Sequence, residues 1–222
     1  MPPSFSAAEL CDLPRVISTP RFATYLTAVS NDKARALALY QWNFQVSAAL
    51  FVPLQMCEIA IRNGVAEVLE KVHGAKWPWS LGFIQSLPVP KHRFGYSAGK
   101  DLSDVSRKYH TTGKVIADLK FAFWQNIFTS GQDNRLWTPH IHSTFPGISP
   151  KTLPRDARDM AQKNLILIRS LRNRIAHHEP IFNRNLQNDF TVIREMVGWR
   201  SKVAVSWLDR IEEVSLLLGC KP

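Results

Sequence analysis

Hydrophobic positions recur along this chain every three or four residues, the repeat of an α-helix with one face turned inward. Ser18-Thr19-Pro20 reads as a helix start: a hydroxyl cap, then a proline whose missing N–H costs nothing in the first turn. Phe22, Tyr25, Leu26 and Val29 follow in helical register. Asn31-Asp32 caps a second helix carrying Leu37, Tyr40, Phe44 and Phe51. Pro53 is expected to kink or end it, because the ring removes a backbone donor and meets the carbonyl one turn back. A third helix is expected from Leu54 through Ile61, Val65, Val68 and Val72, closed by Gly74 and Trp77-Pro78-Trp79. Residues 114–128 return to helical spacing with Val115, Ile116, Leu119, Phe123, Trp124 and Ile127. Pro154 and Asp156 open a long helix to about His178, and Val203, Trp207, Ile211, Val214 and Leu218 mark a last one. The intervening residues 85–113 and 131–154 are punctuated by proline and glycine and are expected to be irregular. Period-two alternation is scarce, so the expected fold is all-α, a single helical domain over residues 1–222 packed as a bundle.

Composition adds a partner class. The 222 residues suffice for a sizeable core, and 45% hydrophobic with 21% charged is neither disordered nor fibrous. Lys+Arg number 28 against 18 Asp+Glu, a net charge of +10 that suits an anionic partner such as nucleic acid or a membrane surface. Cys11, Cys57 and Cys220 form neither a CxxC pair nor an even framework, which fits a reducing cytoplasm. The start, Met1-Pro2-Pro3-Ser4-Phe5, lacks the pattern of a signal peptide. The most apolar stretch, Val46 to Ile61, is interrupted by Pro53, Gln55 and Glu58 and reads as too short to span a bilayer. The expectation is a cytoplasmic protein with no membrane partner.

Several motif-like strings lack the chemistry they suggest. Gly95-Tyr96-Ser97-Ala98-Gly99-Lys100-Asp101 is one residue short of a phosphate loop, and Asp101 stands where a metal-binding hydroxyl is needed. His140-Ile141-His142 has no carboxylate or cysteine partner at ligand spacing. There is no GxSxG elbow. No metal and no cofactor is expected.

The segment Leu165 to Asn185 is of another kind. At about 100° per residue, Leu165, Ile168, Leu171 and Ile175 form one apolar stripe, and Arg172 falls roughly 40° from its centre. A guanidinium on that face is costly unless paired or bound to an anion. Glu58 is the matching oddity, set in the stripe of Leu54, Ile61 and Val65. Three arrangements remain open: a buried Glu58–Arg172 pair, a local Glu58–Arg62 pair, or a Glu58 that orients an arginine toward substrate. The residue before Pro180 is disfavoured in a helix, so the helix stops near Glu179 with His177 and His178 in its last turn. There the negative end of the helix dipole favours imidazolium. Asn173 and Arg174 lie four residues before His177 and His178 respectively. An arginine that can bind phosphate and a histidine that can pass a proton are what metal-free RNA cleavage requires. A helix end capped by basic side chains has the same residues.

Arg172-Asn173-Arg174-Ile175-Ala176-His177 resembles the Arg-four-residues-His motif of HEPN domains. The longer string Leu171 to Arg184, with its double histidine and Phe182-Asn183-Arg184, resembles the Abi-like (abortive-infection) branch. Tyr40-x-Trp42-Asn43 and Glu58-Ile59-Ala60-Ile61-Arg62-Asn63 are similar to that family's N-terminal helices. Phe121-Ala122-Phe123-Trp124 with Leu136-Trp137 is similar to its central segment, Ala122 standing where glycine is expected. The resemblance implies a HEPN-like helical bundle with additional helices and a long irregular loop. It further implies a homodimer whose motif helices meet across a two-fold axis, and a metal-independent endoribonuclease of abortive-infection, phage-defence or toxin–antitoxin type. It makes Arg172 and His177 the catalytic pair. Asn173, Arg174, His178, Glu179, Glu58 and Arg62 are supporting positions, and Lys91, Arg93, Arg169 and Arg184 are candidate RNA contacts. RNA and a cognate antitoxin or regulator are the implied partners. The alternative within the same family is a catalytically inactive RNA-binding or partner-binding module.

An ideal helix turns His177 about 140° from Arg172, so two copies are needed to bring an arginine and a histidine into one cleft.

Overall fold

The computed structural model describes residues 4–90, 92 and 95–222. Among these residues there are α-helices and short 3₁₀ and π turns, with no β-strand. The chain is all-α. Helix α1 (Ala7–Ile17) starts at a reciprocal cap between Ser6 and Glu9, and α2 (Thr19–Ala28) carries its proline in the first turn. Helix α1 lies outside the helices expected; none of its residues is fully buried, and Leu10, Leu13 and Ile17 pack partly against the core.

Helix α3 (Lys33–His73) runs 41 residues without a break, capped by the Asp32 side chain at its start and ended by Gly74 at φ 81°. Pro53 neither ends it nor splits it into the two helices expected. That residue is buried in the bundle, flanked by Leu50, Leu54 and Cys57 in the core, and packing on both sides holds the helix together across the missing hydrogen bond. By length and composition alone α3 could cross a membrane, with a mean hydropathy of 1.5 over its most apolar 18 residues. In this structure it is the central strut, packed most extensively on α10 (Leu186–Arg200) and also on α2. Leu37, Tyr40, Val46, Leu50, Ile61, Val65 and Leu69 face inward. Each such large side chain contributes about 1.5–3 kcal/mol by leaving water. Phe44 and Phe51, expected in that core stripe, instead stand exposed on the outer face.

A 3₁₀ turn, Trp77–Trp79, leads to α4 (Leu81–Ser86), α5 (Ala98–Lys108), α6 (Thr112–Asp118) and α7 (Phe121–Ile127). The segment 85–113 is therefore partly helical. Helix α5 escapes a periodicity search because Asp101 occupies one of its core positions, accepting a 2.6 Å hydrogen bond from the Tyr96 hydroxyl and pairing with Lys120. The single helix expected over 114–128 is broken near Leu119-Lys120. Segment 131–154 likewise holds structure: a 3₁₀ turn reaching Gln132, a π turn (Asp133–Trp137) and α8 (Thr138–Thr144). Trp137 stacks on Phe128 at 4.3 Å and donates to the Ile127 carbonyl at 2.8 Å. These two aromatics pin the turn that periodicity alone does not reveal.

Helix α9 (Pro154–Ala176) follows the expected bounds within two residues. Beyond α10, which lies outside the helices expected, come α11 (Lys202–Ile211) and α12 (Val214–Leu218), where one helix was anticipated. At Gly147 a Cβ would sit 2.1 Å from the Gly198 carbonyl oxygen, so only glycine lets the loop before α9 reach α10. The same contact carries a 2.9 Å hydrogen bond from Gly147 N–H to the Trp199 carbonyl.

Candidate functional site at the end of α9

Helix α9 ends in a closed turn. The His178 N–H donates to the Ile175 carbonyl at 3.0 Å and the Glu179 N–H to the Arg174 carbonyl at 2.8 Å, with His178 at φ 55°. This is the hydrogen-bond pattern of a Schellman cap, whose left-handed position glycine normally occupies. Here an exposed histidine takes it.

Two groups hold the turn. The Arg174 guanidinium donates twice to the Pro180 carbonyl, at 2.8 and 3.2 Å, and lies 3.6 Å from Glu179. From across the molecule, the Asn43 side-chain oxygen accepts the Ile181 N–H at 2.8 Å. Asn43 is buried in the stripe of Leu39, Val46 and Leu50, so its amide replaces water for a backbone donor that would otherwise be orphaned. Its neighbour Trp42 donates to the Leu217 carbonyl at 2.7 Å and so ties α12 to α3. In the sequence Asn43 stands out only as part of the string Tyr40-x-Trp42-Asn43. A polar residue at a core position of an amphipathic helix is the signal that marks it.

Arg172 is exposed rather than buried. It lines a groove of about 370 Å³ between α3 and α9, with Phe51, Leu54, Ile59 and Ile175 as apolar walls and Gln55, Glu58 and Arg62 as polar ones. The groove keeps the guanidinium in water on a face that the stripe alone would bury. Of the three arrangements left open for Glu58, the structure has the local one: Glu58 pairs with Arg62 one turn on, both largely buried. Arg172 has no carboxylate partner among the described residues. Asn173 and His177 are exposed on the last turn and cap of the same helix, and neither lines the groove that Arg172 faces.

The other candidate contacts are arranged differently. Arg184 forms a two-pronged pair with buried Asp189, at 2.8 and 3.0 Å, and reaches the Ser170 hydroxyl at 3.4 Å. Its charge is engaged in joining α9 to α10. Arg169 is half-buried one turn before Asn173, and its charge acts on the Tyr96 hydroxyl, whose pKa burial and Asp101 together push up. Lys91 and Arg93 lie outside the described residues.

Cys57 is adjacent to Glu58, and burial first, then the Glu58 charge, raises its thiol to about 12, which leaves it protonated and unreactive. Among the described residues no cluster of three or more His, Cys, Asp or Glu is placed to hold a metal ion. No protein-family model, no curated protein and no solved structure matches this chain.

Proposed function

We propose that the protein is a metal-independent endoribonuclease effector of the HEPN, Abi-like type, acting as a homodimer. The observation that carries this reading is Arg172, an arginine without a carboxylate partner among the described residues, exposed at a groove mouth within six residues of two exposed histidines at a braced helix end. In the reaction the RNA's own 2′-hydroxyl attacks the adjacent phosphorus. A base removes the hydroxyl proton, an acid protonates the leaving 5′-oxygen, and the products are a 2′,3′-cyclic phosphate and a 5′-hydroxyl. Arg172 stabilises the charge that builds on the phosphoryl oxygens, and His177 moves the proton. Arg174 and Asn43 act as positioning residues that keep the histidine turn in one conformation.

A second copy supplies the convergence that one helix lacks. The outer face of α3 carries Phe44, Val52 and Ile59, between 39% and 55% exposed, an apolar ridge that meets the groove at Ile59 and is suited to a two-fold contact. In this role the protein works in the cytoplasm, restrained by an antitoxin or other regulator until triggered. Incubating the purified chain with tRNA or total RNA in EDTA, beside Arg172→Ala and His177→Ala, tests the proposal. Cleavage lost in both variants supports it. No cleavage by the parent chain, with salt-sensitive RNA binding that His177→Ala leaves intact, replaces the enzyme with a binding module.

A further inference from the structure

We propose that the groove between α3 and α9 is a nucleobase subsite, in which Phe51 stacks on the base, Gln55 reads its edge and Arg172 holds the attached phosphate. The inference rests on the reading of RNA as the ligand and adds to it the part of RNA that the site discriminates. The groove volume of about 370 Å³ falls within the range of pockets that enclose small organic ligands, roughly 300–1,000 Å³. Its lining sorts into three chemistries. Leu54, Ile59, Ile175 and the half-exposed ring of Phe51 offer apolar surface to a flat partner. Gln55 is the one lining side chain with an uncharged hydrogen-bonding group, and its amide presents a donor and an acceptor together, as the edge of a base does. The charges are Glu58, Arg62 and Arg172, and the first two neutralise each other within α3. One cation is left for the ligand. A molecule that answers all three is planar, has polar edges and bears one anionic substituent, which describes a nucleotide. Base–aromatic stacking contributes enough for a single exposed ring to matter. Phe51 and Gln55 are one turn apart on the outer side of a long helix, so neither is needed for the core.

The test is calorimetric titration of the full-length chain with 5′-AMP, GMP, CMP and UMP, against ribose 5-phosphate as the ligand lacking a base. Sedimentation velocity at the same concentrations follows the oligomeric state. The expected result is that at least one nucleotide binds 10-fold or more tighter than ribose 5-phosphate. Phe51→Ala should then weaken it by about 5- to 100-fold, and Gln55→Ala should flatten the ranking of the four bases. Equal binding of nucleotides and ribose 5-phosphate overturns the proposal. So does a Phe51→Ala chain that becomes monomeric with nucleotide affinity unchanged, because the groove is then a contact between copies. Where Phe51→Ala loses both assembly and binding, Gln55→Glu decides: an altered base ranking in a chain that still assembles supports the subsite, and an unaltered one overturns it. RNA cleavage in EDTA separates this inference from the catalytic one. A chain that cleaves RNA without base discrimination in the groove loses the subsite alone. A chain that binds nucleotides there but cleaves nothing loses the catalysis alone.

Discussion

Replacing His178 by glycine should make the protein more stable. The residue sits at φ 55°, in the position that follows the cap of α9, and its backbone closes the turn through hydrogen bonds that any residue supplies. A side chain with a Cβ costs about 1–2 kcal/mol in the left-handed region, and glycine does not carry that cost. Glycine in turn gives the unfolded chain more freedom, which takes back about 0.4–1 kcal/mol. The net gain is about 0.5–1 kcal/mol. For a chain of this length 1 kcal/mol moves the melting temperature by about 2–4 °C, so the expected rise is about 2 °C by calorimetry or circular dichroism. His178→Ala keeps the Cβ and the strain and should show no rise. His177 is the internal control: its φ is −95°, so glycine there should lower stability. A melting temperature for His178→Gly at or below that of the parent would refute the strain argument. If the imidazole takes part in RNA cleavage, the same variant will be more stable and less active, a combination that a purely structural histidine does not produce.

Four further outcomes are expected. Arg172→Ala and His177→Ala should each lower cleavage in EDTA by about 10²-fold or more, with melting temperatures almost unchanged because both side chains are exposed. Asn43→Leu should cost about 1–3 kcal/mol in denaturant unfolding, since it strands the buried Ile181 N–H, and should reduce cleavage through the loosened turn. Ile59→Arg should shift sedimentation from dimer to monomer and abolish cleavage without lowering the monomer's stability, because Ile59 is 55% exposed. Gly147→Ala should cost about 3 kcal/mol or prevent folding, because its Cβ would overlap the Gly198 carbonyl.

Features that reside in a few consecutive residues were legible before the structure. The cap at Asp32, the proline in the first turn of α2, the stop at Gly74 and the bounds of α9 are all statements about one turn of chain, and all are present. Ser18 precedes α2 at φ 82°, but its hydroxyl makes no capping hydrogen bond. The clustering of Arg172, Asn173, His177 and His178 at a helix end follows from the same local rule, since the spacing to Pro180 sets where the helix must finish. Local signals misled where packing outweighed them. Pro53 opposes a helix by about 3 kcal/mol in isolation, yet α3 continues through it with buried residues on either side. Asp101 hid α5 because a buried carboxylate, satisfied by Tyr96, reads in one dimension as a surface residue.

The arrangement of charge around the motif shows the same division most clearly. From the chain alone, Arg172, Arg174 and Arg184 are three equivalent cations near two histidines. In the folded protein Arg174 is bound to the Pro180 carbonyl and Arg184 to Asp189, and Arg172 opens on the groove beside α3. The helical class, the place of the motif on α9 and its position at a helix terminus were written in residue types within a turn or two of each other. Which arginine stays available, and what braces the histidine turn, depends on partners such as Asn43, 138 residues from Ile181. Periodicity cannot encode such pairings, because they arise when helices distant in sequence come together around one core.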